Sequence, residues 1–245
     1  MQTELIYLKD FTLLQYKSRI MGIEKSEDGR ESLVLNETIF YPQGGGQPWD
    51  TGRIANDSGV FIVQEVRWLD GIVRHFGNFE RGTFSIGEEV TLKVDSERRE
   101  LHCRIHSAGH IVDFAIWRLS LSWIPGKGYH FPNGPYVEYE GSLEGVDKET
   151  LKKSIEDECS KIVQENLKMS LVFTTKDELG KYCKHVPTNF TNLAEGKPIR
   201  VVSFGDFGVP CGGTHISGTS EAGRMTIKAI KKSDSGGIKV SYNVE

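Results

Sequence analysis

The sequence predicts an α+β protein: a small N-terminal β-barrel, then a domain in which an antiparallel sheet packs against helices. Three observations carry that reading. The first 94 residues are short Val-, Ile- and Phe-rich runs cut by turns, with no helical period. A helical period begins at residue 95, and strand-like runs return from residue 170. The 245 residues suffice for two cores, expected here as residues 1–94 and 95–245.

Taken in order, "ESLVLNETIFY" (31–41), "GVFIVQEVRWL" (59–69), "GIVRHFG" (71–77) and "EEVTLKVD" (88–95) alternate partly with period two, and "NDSG" and "LDG" read as turns. "DSERRELHCRIHSAGHIVDFAIWRL" (95–119) changes the pattern. Asp95 or Ser96 suits an N-cap and Glu97 a first turn. Leu101, Ile105, Ala108, Ile111, Val112, Ala115 and Ile116 then recur at spacings of three and four, the stripe of an amphipathic helix. A second helix is expected over about 147–168. Strands follow at "SLVFTT" (170–175), "PIRVVSFG" (198–205), "RMTIKAIKK" (224–232) and "GIKVSYNV" (237–244), with "SDSGG" as a hairpin turn.

Composition excludes several classes. Hydrophobic content of 38%, charged content of 26% and net charge −4 describe an ordinary globular chain, not a globally basic nucleic-acid binder. A local basic groove stays open, because steering depends on where charges cluster. No run of 18 apolar residues exists, and "MQTELIYLKD" lacks the basic and apolar regions of a signal peptide. A cytoplasmic location is expected, with neither membrane nor DNA as partner and a monomer favoured. Four cysteines show no disulfide spacing. Cys103 and Cys159 fall in helical patterns as buried thiols, and Cys183 and His185 lack a partner pair.

Two short stretches carry chemistry. In "HSAGH" (106–110), His106 and His110 stand four apart on the expected helix, so they project from one face. In "PCGGTH" (210–215), Cys211 and His215 repeat that spacing in a loop loosened by two glycines. Three imidazoles and a thiolate form a tetrahedral zinc set. Position 107 is Ser, so the general-base Glu of the "HExxH" peptidases is missing. A structural zinc and a zinc that orients a substrate both remain open; four protein ligands favour the first.

"RIHSAGH" followed by "PCGGTH" resembles the editing domain shared by alanyl- and threonyl-tRNA synthetases and their free-standing relatives. "TIFYPQGGGQPWDTG" (38–52) is similar to the glycine-rich motif of alanyl-tRNA synthetases and AlaX proteins, and "GKGYHFPNGPYVEYEG" (126–141) also resembles AlaX proteins. The motifs cover both halves in the family's order. With no aminoacylation domain recognised, a free-standing form is expected.

The resemblance implies hydrolysis of the ester of mischarged tRNA(Ala), chiefly Ser-tRNA(Ala), with Gly-tRNA(Ala) as a second substrate. It maps one zinc onto His106, His110, Cys211 and His215, and the glycine loop onto Gly44, Gly45 and Gly46, followed by Gln47 and Asp50. Thr38 is the expected reader of the serine hydroxyl, and Gln47 is expected to wall the aminoacyl end. Arg98 and Arg99 are expected on tRNA phosphate, as are Lys127, Lys231, Lys232 and Lys239. Tyr129 and His130, with Phe131, are placed to stack on the terminal adenine. Two competing functions are a Ser-tRNA(Thr) deacylase and a non-catalytic zinc module that binds tRNA or a synthetase.

Overall fold

A computed structural model describes residues 3–25, 29–184 and 198–245, so His185 lies outside the described residues. The chain divides into two compact units, Met1–Leu101 and His102–Glu245.

The first unit is a closed six-stranded barrel, as the turn-punctuated sequence predicts. Its elements are β1 (Glu4–Leu5), β2 (Gln15–Lys25), β3 (Glu31–Leu35), β4 (Glu37–Thr38), β5 (Gly52–Ala55), β6 (Gly59–Leu69), β7 (Ile72–Gly82) and β8 (Glu89–Val94). Around the barrel the order is β2-β3-β7-β6-β5-β8, all pairs antiparallel, while β1 and β4 form a short parallel pair outside it. Closure leaves no free sheet edge. Inward positions supply the core: Ile20, Leu33, Leu35, Ile54, Phe61, Val63, Val90 and Leu92 are all buried. Each such side chain contributes about 1.5–3 kcal/mol of transfer free energy.

Helix α1 (Ser96–Arg118) begins in this unit and continues into the second. Asp95 caps it, its carboxylate accepting the Arg98 amide at 3.1 Å. The division between the two compact units therefore lies within the helix, after Leu101. The reason is its first turn, where Arg99 is fastened to Phe11, Ile39 and Asp50 of the barrel unit.

The second unit adds β9 (Ile124–Tyr129), β10 (Tyr136–Glu140), α2 (Lys148–Glu165), β11 (Met169–Thr174), α3 (Leu179–Tyr182), β12 (Ile199–Phe204), β13 (Phe207–Pro210), β14 (Met225–Lys232) and β15 (Ile238–Val244). One antiparallel sheet has the order β14-β15-β10-β9 and a second β11-β12-β13. Ile105, Ala108, Ile111, Val112, Ala115 and Ile116 of α1 share one core with Ile155 and Ile162 of α2 and with Val137, Ile227 and Val240 of the larger sheet. Leu101 breaks the expected stripe, at 39% exposed. Asp147 caps α2 through the Glu149 amide, and Asn166 ends it in the left-handed conformation at φ 48°.

Candidate metal centre

His106 and His110 leave α1 one turn apart, with ring centroids separated by 5.0 Å. Cys211 and His215 arrive on the loop after β13. The His215 ring lies 4.8 Å from His106 and 5.3 Å from His110 between centroids, and Cys211 Sγ is 3.3 Å from His106 Nε2. One ligand atom from each of the four falls within 4.8 Å of the others.

Local chemistry fixes this convergence. Ser107, fully buried, accepts the Ile216 amide at 3.1 Å, so the residue between the two histidines ties the helix to the ligand loop. The Arg200 guanidinium, from β12, donates to the carbonyls of Cys211 and Gly213 at 2.6 and 2.9 Å. The Gly213 amide points at Cys211 Sγ, 3.4 Å away. Cys103 Sγ reaches Thr214 Oγ1 at 3.2 Å. The loop is thus held by its backbone and its ligands are pre-positioned.

"HSAGH" also explains its glycine. A Cβ at Gly109 would stand 2.5 Å from His130 Cε1, and one at Gly128 would stand 2.4 Å from His130 Nε2. The His130 ring fills that slot and stacks on His106, with centroids 4.5 Å apart and planes 14° apart. Its Nδ1 faces Tyr242 Oη at 2.8 Å, and Tyr242 donates to the Ile105 carbonyl at 2.9 Å. Since the Tyr242 proton is committed to that carbonyl, Nδ1 of His130 carries the donated proton.

Charge is distributed unevenly in the cluster. Burial pushes the Cys211 thiol up, but the imidazoles of His106, His215 and His110 outweigh it and hold the thiol well below the usual range. For His110, burial works downward, yet the Cys211 charge and the Asp113 carboxylate raise it to about 10. Burial lowers His215 to about 3, and burial with the neighbouring imidazoles holds His130 well below 6.5.

A metal ion fits this donor set. Tetrahedral zinc with bonds of roughly 2.0–2.3 Å places its ligand atoms about 3.3–3.8 Å apart, a modest contraction of the observed group. Both ring nitrogens of His110 are buried without a hydrogen-bond partner, which suits a nitrogen awaiting a ligand. His106, His110, Cys211 and His215 are the residues that would hold the ion.

The other expected site residues are placed differently. Gly45 and Gly46 have φ 53° and 78°, and Gly44 exchanges backbone hydrogen bonds with Gln47 at 2.8 and 3.2 Å, so the glycines make a tight turn. Gln47, expected as a wall for substrate, is fully buried. Thr38, expected to read a serine hydroxyl, is also fully buried; its Oγ1 lies 2.8 Å from His75 Nε2 and accepts the Phe40 amide at 3.1 Å. His75 Nδ1 faces the Leu33 carbonyl at 3.0 Å, so it is the protonated nitrogen, and Thr38 donates to Nε2. Its hydroxyl is therefore engaged within the barrel unit.

Asp50 and Arg99 are enclosed in the same way. They are 0% and 3% exposed and form an ion pair at 2.6 Å. Arg99 also donates to Phe11 O at 2.5 Å and Ile39 O at 2.7 Å, and Asp50 accepts the Tyr41 amide at 2.6 Å. The guanidinium is thus held by groups of the barrel unit. Arg98 is half-buried, donates to the Trp49 carbonyl at 3.0 Å and lies 5.9 Å from its ring centre. His130 is buried and packs on the His106 imidazole. Tyr129 stacks between Phe131 and Tyr136, at 4.6 and 5.2 Å, and Lys239 caps Tyr136 at 3.5 Å. Lys127, Lys231 and Lys232 are exposed.

Residues 8–98 match the family model described as tRNA synthetases class II (A). The chain is 31% identical to alanyl-tRNA editing protein AlaX-L of Pyrococcus horikoshii, over 94% of this chain and 55% of that protein. It is 26% identical to alanine–tRNA ligase of Methanobrevibacter smithii over 99% of this chain and 27% of the ligase. The corresponding ligase of Methanothrix thermoacetophila is 29% identical, over 97% of this chain and 25% of the ligase. The chain thus spans about a quarter of these ligases and about half of AlaX-L. It is a relative of AlaX-type editing proteins and alanine–tRNA ligases, as its motifs imply.

Proposed function

We propose that the chain is an alanyl-tRNA editing deacylase, hydrolysing the ester of mischarged tRNA(Ala), chiefly Ser-tRNA(Ala) and secondarily Gly-tRNA(Ala). The observation that carries this reading is the convergence of His106, His110, Cys211 and His215 in a chain related over 94% of its length to an alanyl-tRNA editing protein. The ion they would hold is zinc, one per chain, which when bound supplies a positive charge near the aminoacyl end. An aminoacyl ester is already activated, so the protein needs mainly to position it and favour the developing oxyanion. A second sieve is useful because an apolar synthetic pocket rejects an added hydroxyl only weakly.

Within the chain, Ser107 and Arg200 hold the ligand loop, and the His130–Tyr242 pair packs the outer face of His106. Tyr129, Phe131 and Lys239 offer rings and charge to the tRNA end, as do Arg98, Lys127, Lys231 and Lys232 to phosphate. We place the protein in the cytoplasm with the translation machinery; among the described residues no helix is long and apolar enough to cross a membrane.

The completeness of the four-residue set favours one other reading, a closed structural zinc in a tRNA-binding module. A deacylation panel separates them: Ser-, Gly- and Ala-tRNA(Ala) beside Ser-tRNA(Thr), with zinc measured throughout. Hydrolysis of Ser-tRNA(Ala) with Ala-tRNA(Ala) spared supports editing. Binding of tRNA without hydrolysis of any ester replaces editing with the module, and preference for Ser-tRNA(Thr) replaces the tRNA.

A further inference from the structure

His110 has a neighbour that the ligand motif does not include. Asp113 lies one turn along α1, on the same helix face, with its Oδ2 3.5 Å from His110 Nδ1. Its other oxygen, Oδ1, accepts the phenol proton of Tyr139 at 2.6 Å, and Tyr139 is held deep in the core on β10. The Asp113 and His110 side chains are only 10% and 12% exposed. Among the described residues no lysine or arginine pairs with this carboxylate; the imidazole is its only basic neighbour.

A carboxylate so enclosed is costly unless its charge is answered. Tyr139 answers one oxygen with a hydrogen bond, and the second oxygen lies against Nδ1 of His110, which leaves Nε2 for a metal. At 3.5 Å the contact is a little too long for a formed hydrogen bond, and a small rotation of the ring closes it. Histidines that bind metal commonly donate their second N–H to a carboxylate, which fixes tautomer and orientation and raises ligand basicity.

We propose that Asp113, itself anchored by Tyr139, is a positioning residue for the metal centre: it holds the proton of His110 on Nδ1 and presents Nε2 to the metal. This rests on the reading of the four-residue set as a metal site and is independent of which aminoacyl ester is cleaved. The chain of contacts runs from the sheet (Tyr139) through the helix (Asp113) to a ligand (His110), so the sheet core sets the angle of one imidazole.

Zinc affinity of the full chain, measured by chelator competition, tests this with Asp113→Asn, Asp113→Glu and Tyr139→Phe. Wild type should bind about one zinc. Asp113→Asn should weaken binding 10- to 100-fold, the range for lost carboxylate partners of metal-bound histidines. Asp113→Glu should restore part of that loss, and Tyr139→Phe should weaken binding less than Asn does. Nitrogen-detected NMR of the zinc-loaded protein should show His110 protonated at Nδ1 in wild type and mixed between nitrogens in Asp113→Asn. If Asp113→Asn does not fold, the Tyr139→Phe comparison and the wild-type tautomer decide the matter. Equal zinc affinity in wild type and the folded variants, or a wild-type His110 protonated at Nε2, overturns the role of Asp113 alone. Failure of wild type to bind zinc overturns the metal centre and this role with it.

Discussion

Asp50→Asn separates a structural carboxylate from one that faces substrate. Asp50 is fully buried and accepts from Arg99 Nη2 at 2.6 Å, from Arg99 Nε at 3.1 Å and from the Tyr41 amide at 2.6 Å. Asparagine keeps the volume but removes the charge and turns an N–H group on the guanidinium or the amide. Arg99, 3% exposed, then keeps a buried charge that only carbonyl oxygens answer. Breaking a buried pair in this way costs about 3–5 kcal/mol. For a domain of roughly 100 residues each kcal/mol lowers Tm by about 4–8 °C, so the barrel transition should fall by about 20 °C. Scanning calorimetry, with Trp49 and Trp68 fluorescence reporting on the barrel unit, measures it. A barrel Tm within about 3 °C of wild type, which on the same scale is under 1 kcal/mol, would refute the argument. Loss of deacylation with that Tm retained would return Asp50 to the substrate.

Three further outcomes are expected. Burial holds His75 down at about 4 in the fold against 6.5 in the open chain, so its contribution to stability is complete above pH 6.5 and is lost as pH falls toward 4. The loss is about 3 kcal/mol over that window, and His75→Gln should flatten the difference between urea midpoints at pH 7 and pH 4.5; parallel curves would contradict it. Gly109→Ala puts a methyl 2.5 Å from His130 Cε1, so zinc affinity should drop and the protein should lose about 1–3 kcal/mol, read by chelator competition and thermal unfolding; unchanged values would show that the slot is loose. Cys211→Ala should leave elemental analysis with less than half of the wild-type zinc, whereas full retention would remove the thiolate from the centre.

How far the sequence could be read depended on whether a side chain's role is local. β6 matches its expected run, and the core stripe of α1 holds from Ile105 onward, because apolar period follows directly from burial. β9 went unread because Pro125, Gly126 and Gly128 look like loop; Gly128 is required by the His130 ring, a long-range neighbour that no local pattern reveals. The two ligand pairs were legible because each is a spacing of four. Asp113, Tyr139 and Arg200 were not, since their partners are fixed by strand register and helix packing. The burial of Thr38, Asp50 and Arg99 was not legible either, because it depends on long-range partners that no local pattern reveals.

Ligand spacing also has a consequence for the order in which the protein is made. His106 and Cys211 are separated by 105 positions, so the helix pair leaves the ribosome long before its loop partners. At roughly 5–20 residues per second the delay is of the order of 5–20 s. During that interval the nascent chain offers only a two-imidazole site, which binds zinc weakly and exchanges it readily. Capture of the loop then closes a ring of about 100 residues, and a crosslink of that span restricts the unfolded chain by an amount near 5 kcal/mol. The ion would enter as a guest of the helix and finish as the clasp between distant parts of one chain, so zinc shortage during synthesis should produce more misassembled protein than zinc removal afterwards.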